Sequence, residues 1–376
     1  MPTFYEFFAG GGMTRAGLGP GWTCLFANDF DPKKAQAYRE NWGDAGFHLG
    51  DIDEIAGGDL PGRADLIWGS FPCQDLSLAG AGAGLSGARS GSFFAFARII
   101  GELAATGRAP RLVAVENVTG ALTSHGGRDF AAIVDRLDEL GYRTGALVLN
   151  ADAFVPQSRP RLFVIGAHES LDLGAAPLAP APVPDFHPPA LVRAVAALPE
   201  ALRARALWWA SPAPPRRNVG LSALIDVEAA QWHDVAETER LLSLMSPANL
   251  AKLAAAKAAG RRMVGCVFRR TRRDAAGRRA QRAEVRFDDV AGCLRTPAGG
   301  SSRQILLVVE GERVRSRLMT PRETARLMGL DDGYVLPTGA TDAYHLTGDG
   351  VVVPVVRHLA AHVFEPVLAA AAIRAA

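Results

Sequence analysis

The chain has 376 residues, of which 48% are apolar, and a formal net charge of +2. This length allows one large domain with its own core and a smaller second domain. No apolar run approaches the roughly 18 residues of a membrane span, and the first residues lack the basic segment of a signal peptide, so we expect neither. The four cysteines are scattered without a C-x-x-C pair. This disfavours a disulfide framework or a metal site and predicts a cytoplasmic location.

Residues 3–168 alternate apolar strands with amphipathic helices. The predicted strands are TFYEFFA, WTCLFAND, ADLIWGS, RLVAVENV, GALVLNA and RLFVIGA, with helical segments such as PKKAQAYRENW, FFAFARIIGELAA and FAAIVDRLDEL between them. This alternation predicts an α/β fold with a doubly wound, mostly parallel sheet covered by helices on both faces. Ligands of such sheets bind beyond the carboxyl ends of the strands, so the residues that end each strand are candidates for a site.

A glycine-rich turn, FFAGGGMTRAGL, follows the first strand. Such a turn is also typical of a purely structural connection, and Arg15 stands where the dinucleotide fingerprint has its third glycine. Asp29 ends the second strand, where an acid can accept hydrogen bonds from ribose hydroxyls, and Asp51 follows a predicted third strand. Together these residues predict a site for a nucleoside-bearing cofactor without a phosphate-binding turn.

The fourth predicted strand leads directly into Phe71, Pro72 and Cys73. Pro72 restricts the backbone, so that the sulfur would be presented rigidly at the carboxyl edge of the sheet. Most free cysteines are small buried apolar residues, and a reactive thiol needs an accessible, electropositive setting. The position beside the predicted cofactor edge favours a nucleophile here. Residues 74–92 are rich in Gly and Ser and predict either an ordinary surface loop or a loop that closes over a ligand.

A carboxylate, Glu116, ends the apolar strand RLVAVENV. It could lie on the surface, cap a helix or transfer a proton, and a neighbouring cysteine nucleophile favours proton transfer. Farther along, Arg159 and Arg161 occupy alternate positions at the start of another strand. They could bind a carboxylate or a phosphate, or form a solvated strand edge.

The pattern changes after residue 170. Six prolines between Pro177 and Pro189 predict a stiff linker, and residues 190–315 lack the strand–helix alternation. They include RRMVGCVFRRTRRDAAGRRAQRAEVR, whose ten arginines predict either a solvated face or a nucleic-acid contact. Thr320, Pro321, Glu323 and Gly329 then predict a capped helix. The last segment, GDGVVVPVVRHLAAHVFEPVLAAAA, predicts a turn followed by an apolar helix.

The motifs FFAGGG, NDFD, GDID, GSFPCQ, ENV, QSRPR, RLMTPRE and GDGVVVPV occur in this order along the chain. With this combination the chain resembles the DNA (cytosine-5)-methyltransferases of bacterial restriction–modification systems. The resemblance implies the Rossmann-like fold of S-adenosylmethionine-dependent methyltransferases, with a smaller target recognition domain between QSRPR and RLMTPRE. The implied ranges are 1–170 for the catalytic and cofactor-binding domain, 171–316 for the linker and recognition domain, and 317–376 for a C-terminal segment that returns to the catalytic domain.

The resemblance also implies roles for individual residues. Cys73 would be the nucleophile that adds to C6 of a flipped-out cytosine, Glu116 would engage N3, and Arg159 and Arg161 would hold the base or its phosphate and orient Glu116. The residues implied to line S-adenosylmethionine are Phe8, Gly10, Gly12, Asp29, Phe30, Asp51, Ile52, Pro72, Asp349 and Val351. Those implied to contact DNA are Gln74, Ser77, Arg269, Arg270, Arg272, Arg273, Arg295, Thr296, Gly299 and Gly300.

Double-stranded DNA is the implied substrate, and a restriction endonuclease that acts on the same site is the implied partner. We expect a monomer that binds no metal. Two related functions stay open: a tRNA cytosine-5 methyltransferase of the same fold and a DNA-binding relative without catalysis. The intact Cys73, Glu116 and arginines disfavour the second. The missing third glycine and the Phe-Pro-Cys turn disfavour an NAD-linked oxidoreductase.

Two residues depart from the family pattern. Asp349 stands where the last motif usually has Asn, and its negative charge could favour the cofactor's sulfonium cation or only cap the following helix. Cys293 stands where the recognition region often has Thr before Leu. We do not expect Cys293 to be a second nucleophile.

Overall fold

The structure is a computed structural model that describes residues 1–71, 91–214, 217–226, 228, 231–273, 277–296 and 303–375. Contacts between residues divide the chain into two compact units. Unit 1 comprises Met1–Asn150, Pro160–Pro214 and Val351–Ala376, and unit 2 comprises Ala151–Arg159 and Pro215–Gly350. The domain ranges that the sequence resemblance implies, 1–170, 171–316 and 317–376, divide the chain by function and not by contacts. They stay predictions.

The described residues form two sheets and a set of mostly short helices. The strands are β1 (Thr3–Phe7), β2 (Thr23–Asp29), β3 (Phe47–Leu49), β4 (Leu66–Gly69), β5 (Leu112–Val118), β6 (Tyr142–Asn150), β7 (Pro160–His168), β8 (Met263–Arg273), β9 (Arg279–Arg286), β10 (Ile305–Glu310) and β11 (Arg313–Leu318). The helices are α1 (Met13–Leu18), α2 (Pro32–Trp42), α3 (Ser92–Ala105), α4 (Arg128–Glu139), α5 (Pro189–Ala196), α6 (Glu200–Arg205), α7 (Leu221–Leu224), α8 (Val235–Ser243), α9 (Pro247–Lys257), α10 (Pro321–Leu327), α11 (Ala340–Asp349), α12 (Val353–Leu359) and α13 (Glu365–Ala375).

Unit 1 contains a seven-stranded sheet in the order β3-β2-β1-β4-β5-β7-β6. The first five strands in this order are parallel, whereas β7 runs antiparallel to β5 and to β6. This topology confirms the predicted doubly wound, mostly parallel sheet. Because β7 is reversed, its first residues lie beside the last residues of β5 at the carboxyl edge of the parallel strands.

The core of unit 1 joins the sheet to the apolar face of α3. Phe93, Phe96 and Ile100 of that helix are buried together with Phe7 and Ile67 from the sheet. The rings of Phe7 and Phe96 meet edge to face at a centroid distance of 5.7 Å. Burial of a large apolar side chain contributes about 1.5–3 kcal/mol, so each of these residues stabilises the packing of α3 on the sheet.

Unit 2 contains a four-stranded antiparallel sheet in the order β11-β10-β8-β9. Its core includes Leu253 of α9, Val267, Val285 and Leu307. The arginine-rich stretch forms the hairpin β8–β9, in which Arg269 pairs with Ala283. The sequence did not predict this sheet, because residues 264–267 of β8 are buried in succession and the arginines that follow hide the period of two.

The predicted cap of α10 is confirmed. The Thr320 hydroxyl accepts a hydrogen bond from the Glu323 amide at 3.2 Å, and the Glu323 carboxylate accepts one from the Thr320 amide at 2.7 Å. The same carboxylate forms a buried ion pair with Arg317 at 2.6 Å. Loss of such a cap typically costs about 1 kcal/mol, and here the acid is shared with the ion pair.

The last segment was predicted to be a turn followed by an apolar helix, and the position of the turn is partly wrong, because Gly348 and Asp349 belong to α11. Residues 350–352 are not helical and separate α11 from α12. Among the described residues, one segment, Ala340–Ala370, is long and apolar enough to cross a membrane, although residues 350–352 interrupt its helices. More than half of its most apolar window is buried, and buried core helices meet the same criteria, so this segment is weak evidence for a span.

Candidate active site

The glycine-rich turn after β1 has left-handed backbone angles at three predicted cofactor residues. Phe8, Gly10 and Gly12 have φ values of 57°, 55° and 77°. A Cβ on Gly12 would lie 2.9 Å from the Tyr38 ring, so the turn packs directly on α2. A Cβ on Gly10 would meet no atom of the described residues within 4 Å, so these residues leave space at the strand edge for a ligand.

Hydrogen bonds join the loops that follow β1, β2 and β3. The Gly10 amide donates to the Asp29 carboxylate at 2.7 Å, and the Asn28 side-chain amide donates to the carbonyls of His48 and Gly50 at 3.1 and 2.9 Å. Asp29 is 5% exposed, and this burial raises the pKa of its carboxyl. Its other oxygen accepts from the Asp31 amide at 2.9 Å, so each oxygen keeps a lone pair for a ligand.

The other predicted cofactor residues of unit 1 lie on the same strand ends. Phe30 follows β2 with 67% of its surface exposed, which is unusual for a Phe. Asp51 follows β3, is exposed, and accepts a hydrogen bond from the Asp53 amide at 3.0 Å, while Ile52 is buried. An exposed aromatic ring, two carboxylates and open space at adjacent strand ends suit a nucleoside. Val351 is buried, also in unit 1.

A buried carboxyl lies beneath this edge. Glu6 of β1 is 1% exposed, and neither carboxyl oxygen has a hydrogen-bond partner of good geometry among the described residues. Desolvation raises the pKa of Glu6 to about 8, although Thr14 and the charge of Arg15 oppose the rise. The Arg15 guanidinium lies 5.2 Å from the Trp42 ring and donates to the Tyr38 hydroxyl at 3.0 Å. Nothing in the sequence pattern singled out Glu6.

We predict that Glu6 makes the protein less stable as the pH rises from about 4.5 to about 8. Over this range the folded protein keeps a proton that the unfolded chain has lost, so the free energy of unfolding falls with pH. The difference between the two pKa values corresponds to a loss of at most about 5 kcal/mol in the free energy of unfolding. Glu6→Gln should therefore raise the melting temperature at pH 8 and change it little at pH 5, in thermal melts across this range. The exposed Glu54→Gln is the control, and equal pH profiles for wild type and Glu6→Gln would contradict the prediction.

The sequence-predicted Glu116 and Arg161 form an ion pair in unit 1. Arg161 Nε lies 3.0 Å from Glu116 Oε1, and their side chains are 15% and 8% exposed. The pair forms because antiparallel β7 places Arg161 opposite Val118, two residues beyond Glu116. A carboxylate held by one buried guanidinium contact has a fixed orientation and keeps its second oxygen for other partners.

The chain that leads to Cys73 is held next to Glu116. Asn117, the neighbour of Glu116, donates from its side chain to the Phe71 carbonyl at 3.1 Å, and both residues are buried. Gly69 at the end of β4 also pairs with Val115 of β5. The sequence did not single out Asn117 for this contact. The predicted Pro72, Cys73, Gln74 and Ser77 lie outside the described residues, as does most of the segment 74–92.

The side chains of the Gln-x-Arg motif hydrogen-bond to segments of unit 2 that are far apart in the sequence. Arg159 is 2% exposed and donates to the carbonyls of Leu294, Gly348 and Gly350 at 2.9, 2.9 and 2.7 Å. Gln157 is fully buried, and its side-chain oxygen accepts from the Leu294 amide at 3.1 Å. These contacts give Arg159 a role in ordering the backbone that the sequence did not indicate. A direct role for Arg159 at a base stays a prediction.

Unit 2 contains a cleft of about 680 Å³ with a strong excess of positive charge. Four predicted DNA-contacting residues line it together, although they are separated in sequence: Arg269, Arg270, Arg295 and Thr296. The other lining residues are Ser158, Lys252, Val267, Phe268, Glu284, Val285, Arg286, Gly292, Cys293, Arg303 and Gln304. The lining thus contains six cationic side chains and one acidic side chain, and this excess of positive charge favours binding of a polyanion.

Some cationic groups of the cleft have partners. Arg270 lies 3.4 Å from Glu284, whereas Arg286 pairs with Asp288. Lys252 and Arg303 are cleft residues that sequence reasoning missed, and Arg286 was included only as part of the arginine-rich stretch. The predicted Arg273 is exposed and donates to the Gly277 carbonyl at 2.9 Å, but it is not part of the lining. The Arg272 side chain, Gly299 and Gly300 lie outside the described part of the chain.

The two residues that depart from the family pattern are both in unit 2. The Thr296 hydroxyl donates a hydrogen bond to the Asp349 carboxylate, so Asp349 has a partner from the predicted recognition region. Cys293 donates to the Leu294 carbonyl at 3.3 Å and accepts from Arg159 at 3.4 Å. These contacts give Cys293 a packing role within the cleft wall.

Comparison with known sequences identifies related proteins over nearly the whole chain. A family model described as C-5 cytosine-specific DNA methylase matches residues 2–365. The chain is 27% identical to the Type II methyltransferase M.HpaII of Haemophilus parainfluenzae, over 96% of this chain and 89% of that protein. It is 35% identical to the Type II methyltransferase M.BsuFI of Bacillus subtilis, over 46% of this chain and 40% of that protein.

Comparison with solved structures supports the same fold. The structure of the S. pombe Dnmt2 methyltransferase matches with a TM-score of 0.58 at 18% identity, over 96% of this chain and 97% of that one. A putative DNA modification methyltransferase encoded within an E. coli prophage matches with a TM-score of 0.55 at 17% identity, over 99% of this chain and 100% of that one. At these identities the likeness shows the fold alone.

Proposed function

The chain belongs to the C-5 cytosine-specific DNA methylase family of DNA (cytosine-5-)-methyltransferases, and we propose that it transfers a methyl group from S-adenosylmethionine to C5 of cytosine within a specific double-stranded DNA sequence. The observation that supports this chemistry best is the buried Glu116–Arg161 pair, next to the strand end that leads to Cys73. We further propose that the protein is the cytoplasmic modification enzyme of a Type II restriction–modification system, paired with an endonuclease of the same specificity.

The strand ends of unit 1 fit the proposed cofactor. Asp29 would accept hydrogen bonds from the ribose hydroxyls with its remaining lone pairs, and the exposed Phe30 ring would pack on the adenine. The carboxylate of Asp51 would accept from an amino group, and the open space at Gly10 admits the ligand close to the backbone. When bound, S-adenosylmethionine supplies the methyl group as an electrophile on a sulfonium centre.

The residues of this chain would make C5 nucleophilic. The Cys73 thiolate adds to C6 and forms a carbon–sulfur bond, and the electron pair of the C5–C6 double bond becomes available at C5. In its protonated form Glu116 delivers a proton to N3, and the Arg161 guanidinium adjacent to it offsets negative charge that develops on the ring. After C5 has accepted the methyl group, a base removes the C5 proton, the thiolate leaves C6 and N3 returns its proton to Glu116, which restores the neutral aromatic ring.

The target base has to leave the duplex for this reaction. A thiol beyond a strand end cannot reach C6 within stacked bases, and DNA methyltransferases flip their target nucleotide. Unstacking costs a few kcal/mol, which contacts to the phosphates and to the remaining bases offset. We assign these contacts to the cleft of unit 2, where arginines can bind phosphates or guanine edges.

We predict that Arg269→Gln/Arg270→Gln weakens DNA binding and flattens its salt dependence. Each lost phosphate contact lowers the slope of log K against log salt by about 0.9, so the double variant should lose about 1–2 from the slope. Fluorescence anisotropy with a labelled duplex between 50 and 200 mM salt measures this. Arg313→Gln, an exposed arginine of β11 outside the cleft lining, is the control. An unchanged slope in the double variant would mean that these arginines do not contact phosphates.

Methyl transfer to DNA and to tRNA tests the proposed function directly. Protein incubated with tritiated S-adenosylmethionine should label duplex DNA and not tRNA. Bisulfite sequencing of DNA from cells that express the chain should then show methylcytosine at one recurring sequence. Label in tRNA alone would replace DNA by RNA as the substrate, and DNA binding without any label would indicate a non-catalytic relative.

A further inference from the structure

Two segments of unit 2, residues 293–296 and residues 348–350 at the C-terminal end of α11, are packed directly against each other. The Thr296 hydroxyl donates to the Asp349 carboxylate. A Cβ on Gly348 would lie 2.7 Å from the Arg295 carbonyl carbon and from the Thr296 amide nitrogen, so glycine is required for this close approach. The contact therefore involves both backbone packing and a hydrogen bond between side chains.

Arg159 supports the same contact from the interior. Its guanidinium donates to the Leu294 carbonyl on one segment and to the carbonyls of Gly348 and Gly350 on the other. Because Arg159 is 2% exposed, these hydrogen bonds are protected from water. The backbone before Arg295 is thus fixed by a buried cation, whereas the backbone after Arg295 is held by the exposed Thr296–Asp349 hydrogen bond.

Arg295 lies between these two attachments. Its side chain is exposed and lines the cleft with Arg269 and Arg270. Within the described residues, it has no hydrogen bond or ion pair of its own. The position of its Cα and the direction of its Cα–Cβ bond are set by the backbone on either side of it, so a change in the Thr296–Asp349 contact would shift the part of the cleft that its guanidinium can reach.

We propose that Asp349 is a positioning residue for DNA binding, which acts through Thr296 on the backbone that presents Arg295 to the DNA. This inference rests on the proposed function. A carboxylate accepts a stronger, charge-assisted hydrogen bond from a hydroxyl than an amide oxygen does, which gives a reason for Asp where the family pattern has Asn. The role differs from the cofactor contact that the sequence resemblance implied for Asp349.

A double-mutant cycle on DNA binding tests the proposal. Thr296→Val removes the hydroxyl and keeps the shape, and Asp349→Ala removes the acceptor. Each is expected to weaken binding of a labelled target duplex 5- to 10-fold, and the double variant should be no weaker than either single variant. Thr296→Ser should restore binding to within 2-fold of wild type, and Asp349→Asn should give an intermediate loss. Thermal melts of the variants establish that each is folded.

Binding of S-adenosylhomocysteine, measured by calorimetry, separates the two roles of Asp349. The Kd of this probe should stay within 2-fold of wild type in every variant. A loss of probe binding in Asp349→Ala but not in Thr296→Val would assign Asp349 to the cofactor and overturn the proposal. Multiplicative losses of DNA affinity in the double variant would also overturn it. Failure of the wild-type protein to bind DNA would refute the proposed function itself, and this inference with it.

Discussion

Cys73→Ala is expected to reduce methyl transfer to DNA by a factor on the order of 10⁴ or more. Without the thiolate, no bond to C6 forms, and C5 of the intact aromatic ring is too poor a nucleophile to accept the methyl group. Cofactor affinity should change by no more than a few-fold, because most of the proposed cofactor contacts lie on the strand ends of β1, β2 and β3. Tritium transfer measures the first effect and calorimetry with S-adenosylhomocysteine the second.

A mechanism-based substrate distinguishes a covalent role of Cys73 from a structural one. When fluorine replaces hydrogen at C5 of the target cytosine, a base cannot remove it as a proton, so the enzyme should stay bonded to C6. Mass spectrometry of the trapped complex should locate the bond on residue 73. Cys293→Ala is the matched control, since that thiol hydrogen-bonds to the Leu294 carbonyl in unit 2 and should be dispensable for trapping. Retained turnover in Cys73→Ala, or a bond to another residue, would exclude the covalent route.

The parallel half of the fold was predictable because each local pattern agrees with the whole. Runs such as LIWG of β4 are buried at every position, which is typical of a strand covered on both faces. The cap of α10 was predictable for the same reason, since Thr320 and Glu323 interact within one turn. The sheet of unit 2 was not predictable, because β8 combines a continuously buried half with an arginine-rich half.

Some residues of the candidate site could likewise be predicted from the sequence, and others could not. Asp29 and Glu116 could be identified from the sequence because each ends a predicted strand, and parallel strands place their carboxyl ends at one edge of the sheet. Partners that come from far along the chain were not accessible in this way. Arg161 reaches Glu116 because β7 is antiparallel, and nothing in a run of apolar residues reports strand direction. Arg159 likewise donates hydrogen bonds to carbonyls that lie 135 and 189 residues farther along the chain.

Glu116→Gln is expected to lower kcat by about 10²–10⁴, the usual contribution of a positioned proton donor. The amide keeps the size of the side chain and an oxygen that can accept from Arg161, so the geometry of the pair should persist. It cannot deliver a proton to N3, however, and negative charge on the ring then has only Arg161 to offset it. Protonation of N3 belongs to the chemical step and not to binding. Cofactor and DNA affinities should therefore stay within a few-fold of wild type.

Single-turnover kinetics with saturating DNA and cofactor measure this step without interference from product release. Glu139→Gln is the control, since this acid of α4 also pairs with an arginine, Arg136 at 2.8 Å, but is exposed. It should leave the rate unchanged. A Glu116→Gln protein that methylates within tenfold of the wild-type rate would mean that N3 receives its proton from another group, and that the buried pair with Arg161 only supports the end of β5.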